Sequence, residues 1–236
     1  MMKISIVIPT LNEATYITRT LHTVASQSLS DNLKVELLIV DGGSTDGTPE
    51  RIIEFFEHND TLPVRMFLSE RSRAKQMNCG AHFASGDTLL FLHADTQLGE
   101  NALAELAQAL ENPSVQFGYF KMKFDSENPI AEYYASFTNI NSLLTHYGDS
   151  GIFARREFFE KVGKFPNQEF LEDVEFLQRA ARLAKPYLVE NAHVITSARR
   201  FEKNGYLWQM LCNISIVGLY KLGVPSDWLK EFYRGK

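Results

Sequence analysis

The sequence predicts an α/β domain built on a mainly parallel sheet, with a second half that continues as α+β. Three observations predict it. Over the first hundred residues short β-rich runs alternate with helical patterns, as in βαβ units. The runs at residues 4–8 and 37–40 are almost continuously apolar rather than alternating, as strands covered by helices on both faces require. Four successive strand ends carry polar groups, "PTLNE", "DGGSTDGT", "SERSRAKQMN" and "HADTQ", at the edge where open α/β sheets bind ligands.

The elements follow in order. "KISIVIP" is the first strand, and the polar-apolar spacing over residues 13–28 predicts the first helix. "VELLIVD" is followed by a helix over 48–58, "VRMFLS" by a helix over 74–84, and "TLLFLH" is the fourth strand. A helix over 100–110 leads to "VQFGYFKMKF", in which Val115, Phe117, Tyr119 and Lys121 face opposite to Gln116, Phe120 and Met122. A helix over 129–144, a glycine-bearing turn "HYGDSGIFARR", a short helix over 156–162, the loop "GKFPNQEF" and a helix over 172–183 complete the second half. No repeat, low-complexity linker or long Pro/Gly/Ser-rich hinge divides the chain, so one domain is expected.

Composition narrows the function classes. The 236 residues are 44% hydrophobic, enough for a sizeable core without staples. With 24 Lys+Arg against 29 Asp+Glu the net charge is -5, which offers no global basic field for nucleic acid. Cys79 and Cys212 lie in separate apolar patterns with no CxxC spacing and read as buried free thiols in a reducing, cytoplasmic setting. The first apolar run is shorter than the ~7–15 residues of a signal h-region. "YLWQMLCNISIVGLYKLGV" is interrupted by Gln209, Asn213, Ser215 and Lys221. It reads as an amphipathic or buried helix, with peripheral membrane contact as the alternative, because a span needs about 20 mostly apolar residues.

Each polar strand end taken singly reads as a helix cap: Asp46 or Thr45 for the helix after Gly47, Asn12 for the helix near Glu13. Four at one edge argue for a ligand site. "DGGSTDGT" lacks the lysine of GxxxxGK[ST] and the spacing of GxGxxG, so neither an ATP-type phosphate loop nor a dinucleotide fingerprint is present. An aspartate followed by two glycines can instead accept hydrogen bonds from a base or ribose while the glycines admit the ligand close to the backbone, which selects Asp41.

"ISIVIPTLNEATYI", "LLIVDGGSTDGT", "RSRAKQMNCGAHFASGDTLLFLHADT" and "FLEDVEFLQR", taken together and in this order, resemble the inverting family 2 glycosyltransferases of the GT-A fold. The resemblance covers roughly residues 3–183 and is closest to a small, soluble bacterial branch with HAD in place of DxD. It implies a nucleotide-sugar-binding half over 1–98, an acceptor and catalytic half over 99–200, and a C-terminal helical tail over 201–236. The implied partners are a nucleoside diphosphate sugar and an unidentified hydroxyl acceptor, and the implied cofactor is Mg2+ or Mn2+. A non-catalytic nucleotide-sugar-binding protein and a nucleotidyltransferase are the rival readings; the second normally has a Gly-rich basic loop that "PTLNEATYI" lacks.

The resemblance also assigns residues. Pro9, Thr10 and Glu13 match the first nucleotide loop, and Asp41 the aspartate that contacts the base. Arg73, beside Arg71 and Lys75, falls where a basic residue lies near the nucleotide. Asn78 and Gly80 match recurrent helix positions, with helix packing an equal reading of Gly80. Asp87 matches a "GD" that also reads as a turn. His93, Ala94 and Asp95 stand at the DxD position, with Asp95 as metal ligand; His93 either bears on metal preference or bonds backbone at the edge of the core. Asp173 matches the general base, with Glu172 orienting it or contacting acceptor; both also read as dipole-compensating residues at a helix start. Asp149 reads as an acceptor contact or a turn. Arg199 and Arg200 read as a diphosphate clamp or a solvated basic turn.

Overall fold

The computed structural model describes residues 1–143 and 145–234. In chain order the first half comprises β1 (Met2–Thr10), α1 (Ile17–Ala25), β2 (Leu33–Asp41), α2 (Thr48–Glu57), β3 (Val64–Leu68), α3 (Arg73–Phe83), β4 (Thr88–Phe91) and β5 (Thr96–Leu98). The second comprises α4 (Ala102–Leu110), β6 (Phe117–Phe124), α5 (Pro129–Ser136), β7 (Ile152–Arg155), α6 (Arg156–Val162), α7 (Glu172–Ala181), β8 (Tyr187–Thr196), α8 (Arg199–Asn204), α9 (Tyr206–Lys221) and α10 (Ser226–Arg234). One eight-stranded sheet in the order β3-β2-β1-β4-β7-β6-β8-β5 runs through both halves.

β1 to β4 are parallel, and their order reverses at β1, which lies between β2 and β4. Two adjacent strands whose connections leave in opposite directions open a crevice beyond their C-terminal ends, and here that crevice lies past Thr10 and Phe91. Side chains alternate between the two faces. Ile4, Ile6 and Ile8 of β1 join Val35, Leu37 and Ile39 of β2 in one cluster, whereas Val7, Leu38, Leu89 and Phe91 join the cluster of the opposite face. Each fully buried aliphatic of this kind contributes roughly 1.5–3 kcal/mol. A charge among them needs complete pairing, and Glu36 has it: its carboxylate accepts from Ser5 Oγ (2.6 Å), Ser85 N (2.6 Å) and Ser85 Oγ (2.8 Å), and lies near Lys3 and Arg65.

Three strands were not expected from the sequence. β7 is four residues inside the glycine-bearing turn, yet it inserts antiparallel between β4 and β6. β8 carries Glu190 and Asn191, which break its apolar pattern. The β6–β8 register jumps from Phe120↔Val189 to Lys121↔His193 and skips residues 190–192, so the polar interruption sits in a bulge. β5 pairs with β8, its Thr96 hydroxyl 3.0 Å from that of Thr196. The two-faced alternation expected over residues 115–124 is not seen as one wet face, because Phe117, Gly118, Tyr119 and Phe120 are all buried.

Helix ends also differ. The first helix starts at Ile17 rather than 13, because the loop before it is bonded to the β2–α2 loop. Asn12 is left-handed (φ 55°), its N–H donates to Ser44 Oγ (2.9 Å), and its side chain accepts from Thr45 N (2.9 Å). α5 is capped by Asn128 and ends at Ser136 with a 3-10 turn to Asn139; the expected end at Leu144 lies outside the described residues. α9 and α10 rest on the start of α7 through a small cluster of Leu171, Val174, Ile216, Val217 and Leu229. Among the described residues no helix is long and apolar enough to cross a membrane.

Candidate functional site

The crevice is an open cleft of about 1190 Å³, walled by the ends of β1, β4 and β8, the starts of α3 and α7, and the C-terminal helices. Pro9, Thr10, Glu13, Arg73, His93, Ala94, Asp95, Asp149, Asp173, Arg199 and Arg200 all line it.

At the β1–β2 end, Thr10 pairs with Asp41 in register and donates its hydroxyl to Asp41 Oδ1 (3.0 Å). Ser44 Oγ also donates to Oδ1 (2.6 Å), while the N–H groups of Gly43 and Ser44 donate to Oδ2 (2.9 and 2.8 Å). Four donors match the roughly four acceptor positions of a carboxylate. The structure therefore places Asp41 at the predicted edge but uses it to shape the glycine loop. Gln76, which the sequence reading missed, closes the same corner: its amide donates to Thr10 O (2.7 Å) and Val40 O (2.8 Å). A Cβ on Gly42 would lie 3.1 Å from that amide, so the second residue of the loop must be small.

At the other end the residues before and within α7 meet the His93 loop. Glu172 is buried and ion-paired to Arg73 Nε, whose Nη2 lies 3.7 Å from Asp173 Oδ1. Asp173 Oδ2 accepts the Gly148 N–H (2.6 Å). Glu172 thus holds Arg73, and Arg73 bears on Asp173. His93 belongs to this group: Nε2 is 3.5 Å from Arg73 Nη1, and a Cβ on Gly148 would sit 2.8 Å from that nitrogen and 2.9 Å from Asp173 Oδ2. Burial, and then the Arg73, Arg200 and Arg199 charges, hold its imidazole well below the usual range. His93 therefore backs the α7 carboxylates at the cleft wall. Ser72 Oγ and Glu172 Oε2 are buried without a hydrogen-bond partner beside this network.

Asp95 Oδ2 is 3.0 Å from Arg199 Nη2, and Arg199 also donates to both oxygens of Glu13 (2.8 and 2.7 Å) and lies over the Tyr16 ring. Arg199 thus ties the start of α8 to the first loop across the cleft. Arg200 turns toward α10, donating to Tyr233 Oη (3.2 Å). Among the described residues no three His, Cys, Asp or Glu groups converge to hold a metal. Asp95 at the cleft wall is a hard oxygen donor, and a divalent cation held there would take the rest of its oxygen shell from water or a bound ligand. Asp149, half-buried on the 3-10 turn Gly148–Ser150, has its carboxyl pushed up to about 6 by burial and by Asp173, with Arg73 opposing.

Asp87 lies elsewhere. It precedes β4, at the N-terminal edge, and its neighbours are Lys3, Arg155 and Arg156. A parallel strand carries its first and last residues to opposite edges, here about 13 Å from Asp87 to Phe91 by strand rise. Asp87 is a turn residue of the far side. Lys75 is ion-paired to Glu70, and Asn78 braces the loop at Phe165 through both its amide groups. Gly80 is explained by packing, since a Cβ there would lie 2.4 Å from Val7 Cγ1. Cys79 and Cys212 are free but half-buried rather than buried, and Cys212 lines the cleft.

A parallel sheet with its switch point at β1 and β4, continued by a mixed second half whose α7 brings Glu172 and Asp173 to the crevice, has the architecture of a GT-A-type fold. S. aureus TarS in complex with UDP-GlcNAc superposes with a TM-score of 0.69 at 22% identity, over 83% of this chain and 58% of that one. The mannosyltransferase PcManGT from Pyrobaculum calidifontis, in complex with GDP-Man and Mn2+, superposes at 0.67 and 22%, over 93% and 63%. The description Glycosyl transferase family 2 matches residues 5–163, and the chain belongs to that family. Glycosyltransferase AglE of Haloferax volcanii is 30% identical over 185 residues, 75% of this chain and 60% of AglE. A PGL/p-HBAD biosynthesis glycosyltransferase of Mycobacterium tuberculosis is 40% identical over 107 residues, 44% of this chain and 40% of that protein. The chain thus spans less than two thirds of the length of each of these relatives.

Proposed function

We propose that this chain transfers a sugar from a nucleoside diphosphate sugar to an acceptor hydroxyl with inversion at the anomeric carbon. The observation that carries it is the placement of Asp173: its carboxylate lies at the cleft wall, fixed by the Gly148 N–H and flanked by Arg73. Family membership and the nucleotide sugars bound by the two structural relatives support the donor class.

In this reading Asp173 takes the acceptor proton as the hydroxyl oxygen attacks the anomeric carbon, and the bond to the diphosphate breaks on the opposite face. Glu172 and Arg73 position the base. Thr10 and the loop held by Asp41 receive the nucleoside. Arg199 and Arg200 face the departing diphosphate, and Arg199 leaves its partners Glu13 and Asp95 to do so. Mg2+ or Mn2+ held by Asp95 and the diphosphate would offset the charge that develops on the leaving group.

A thermal-shift series of UDP and GDP sugars, with and without Mg2+ or Mn2+, followed by slow donor hydrolysis, tests the reading. Donor binding with hydrolysis that falls by roughly 10²–10⁴ in Asp173→Asn is expected. Binding without turnover in any metal would favour a non-catalytic sugar-nucleotide protein, and unchanged rates in Asp173→Asn would remove Asp173 as base.

A further inference from the structure

The loop that delivers the α7 carboxylates runs against local preference. Leu171, the residue before Glu172, has a left-handed backbone (φ 60°, ψ 26°). Among the described residues three other non-glycines share that sign of φ, Asn12, Asn101 and Lys164, and Leu171 alone of the four is buried. In this conformation a Cβ crowds the following carbonyl oxygen, so single left-handed residues are usually glycine or asparagine. The residue before a helix is ordinarily extended and caps the first turn with a side-chain oxygen. Leucine does neither. The start of α7 relies instead on Leu171 O, which accepts the Glu175 N–H (3.0 Å), and on Asp173 Oδ1, which accepts the Val174 N–H (2.9 Å).

What holds Leu171 in this state comes from the far end of the chain. Three consecutive loop residues are each gripped by the C-terminal helices. Glu169 is ion-paired to Lys230 of α10. The Phe170 ring lies against that of Tyr233, also of α10, with centroids 5.2 Å apart. Leu171 is buried in one cluster with Ile216 and Val217 of α9 and Leu229 of α10. One turn further on, Glu175 Oε2 accepts from Tyr220 Oη of α9 (2.9 Å). A disfavoured backbone persists only where its surroundings over-determine it, and these contacts supply that condition. The backbone angles at Leu171 set the direction in which α7 departs, and so where Asp173, two residues on, meets the Gly148 N–H.

We propose that Leu171 is a positioning residue for the transfer reaction, clamped by α9 and α10 in a left-handed backbone that aims Asp173 into the cleft. The C-terminal helices thereby act on the base through the loop they grip. The effect on rate rests on the role proposed for Asp173, whereas the clamp itself does not.

Three variants separate a clamped backbone from ordinary packing. Leu171→Ala removes the anchor but keeps a Cβ, which leaves the backbone free to relax. Leu171→Gly removes the same anchor and takes the left-handed conformation without penalty. Leu229→Ala loosens the clamp from α10, and its side chain does not line the cleft; it stands in for Leu171→Ala if that variant does not fold. In slow donor hydrolysis, Leu171→Ala and Leu229→Ala are expected to lose about tenfold in kcat with the donor KM within about twofold, and Leu171→Gly to lose only about threefold. Packing loss alone would harm the glycine variant at least as much as the alanine one. Amide exchange at Glu175, read relative to the amides of β1, follows the clamp without turnover. It should quicken roughly tenfold in Leu171→Ala and Leu229→Ala and no more than about threefold in Leu171→Gly. Alanine variants with wild-type kcat and exchange, or a glycine variant that loses as much as Leu171→Ala, overturn the proposal. If wild type hydrolyses no donor, the transferase reading fails instead, and the exchange pattern alone decides for or against the clamp.

Discussion

Gly148→Ala is a small substitution aimed at the centre of the site. Gly148 does not require a left-handed backbone, so alanine is conformationally allowed there. The added methyl carbon would lie 2.8 Å from His93 Nε2 and 2.9 Å from Asp173 Oδ2, where real contacts stay above 3.0 Å. Both obstructing atoms end side chains, so the clash is relieved by moving the imidazole and the carboxylate rather than the sheet. The Gly148 N–H that holds Asp173 at 2.6 Å moves with them. For Asp173 as the general base proposed above, a displacement approaching 1 Å costs on the order of 10²-fold in rate, whereas the stability cost of such a shift is about 1–3 kcal/mol. The expected phenotype is therefore a kcat for transfer or donor hydrolysis reduced by about 10- to 100-fold, with the donor KM within about threefold, because the nucleoside end is untouched. Initial rates against donor concentration, with urea unfolding in parallel, measure both quantities. A kcat within twofold of wild type would show that the methyl group is absorbed elsewhere and that Gly148 does not position the base.

Three further outcomes are expected. Arg199→Ala removes the tie between Glu13 and Asp95 and, in the proposed reaction, one cation facing the diphosphate, so donor affinity measured by calorimetry should fall about tenfold, and a change below twofold would show that Arg199 does not reach the donor. Burial raises the Glu36 carboxyl, but the bonds from Ser5 and Ser85 and the Lys3 charge outweigh it and leave it near 2 against an ordinary 4.5. Its stabilisation is then present above about pH 4.5 and lost as pH falls through 2, so Glu36→Gln should cost roughly 3 kcal/mol at pH 7 and about 1 kcal/mol at pH 3 in urea unfolding. Asp149 runs the other way: with a folded value of about 6 against 3.8, its contribution is full below 3.8 and lost as pH rises through 6. Asp149→Asn should therefore gain roughly 2 kcal/mol over wild type between pH 4 and pH 8, and a parallel pair of stability curves would contradict the burial of that carboxyl.

What the sequence determined by itself was the part governed by local pattern. Continuous apolar runs separated by helical spacing identify β1 to β4, and parallel strands necessarily deliver their C-terminal ends to one edge, so Thr10, Asp95 and the start of α3 could be placed together without coordinates. The start of α7 was legible as well, because "FLEDVEF" sets two carboxylates at a helix N-terminus. Tertiary structure decided the rest. β7 and β8 are short or bulged, and what makes them strands is the neighbour each pairs with rather than a period of their own. Asp87 has the right residue type at the wrong end of a strand, a distinction that only direction through the sheet supplies.

Asp41 illustrates a second limit. Its place was readable, but whether its oxygens face a ligand or its own loop depends on Thr10 and Ser44 arriving from two strand ends. His93 was the anomaly of the HAD motif, and its meaning comes from Gly148 and Asp173, which are 55 and 80 residues away in the chain. The clearest case is an apolar stripe that α9 leaves exposed. Leu207, Leu211 and Ile214 have the spacing of a buried face, and sequence periodicity marks an apolar side without saying which way it points. That direction was set when Gln209 and Asn213 found Tyr233, because three polar groups that satisfy one another can be buried while the apolar side is left outside.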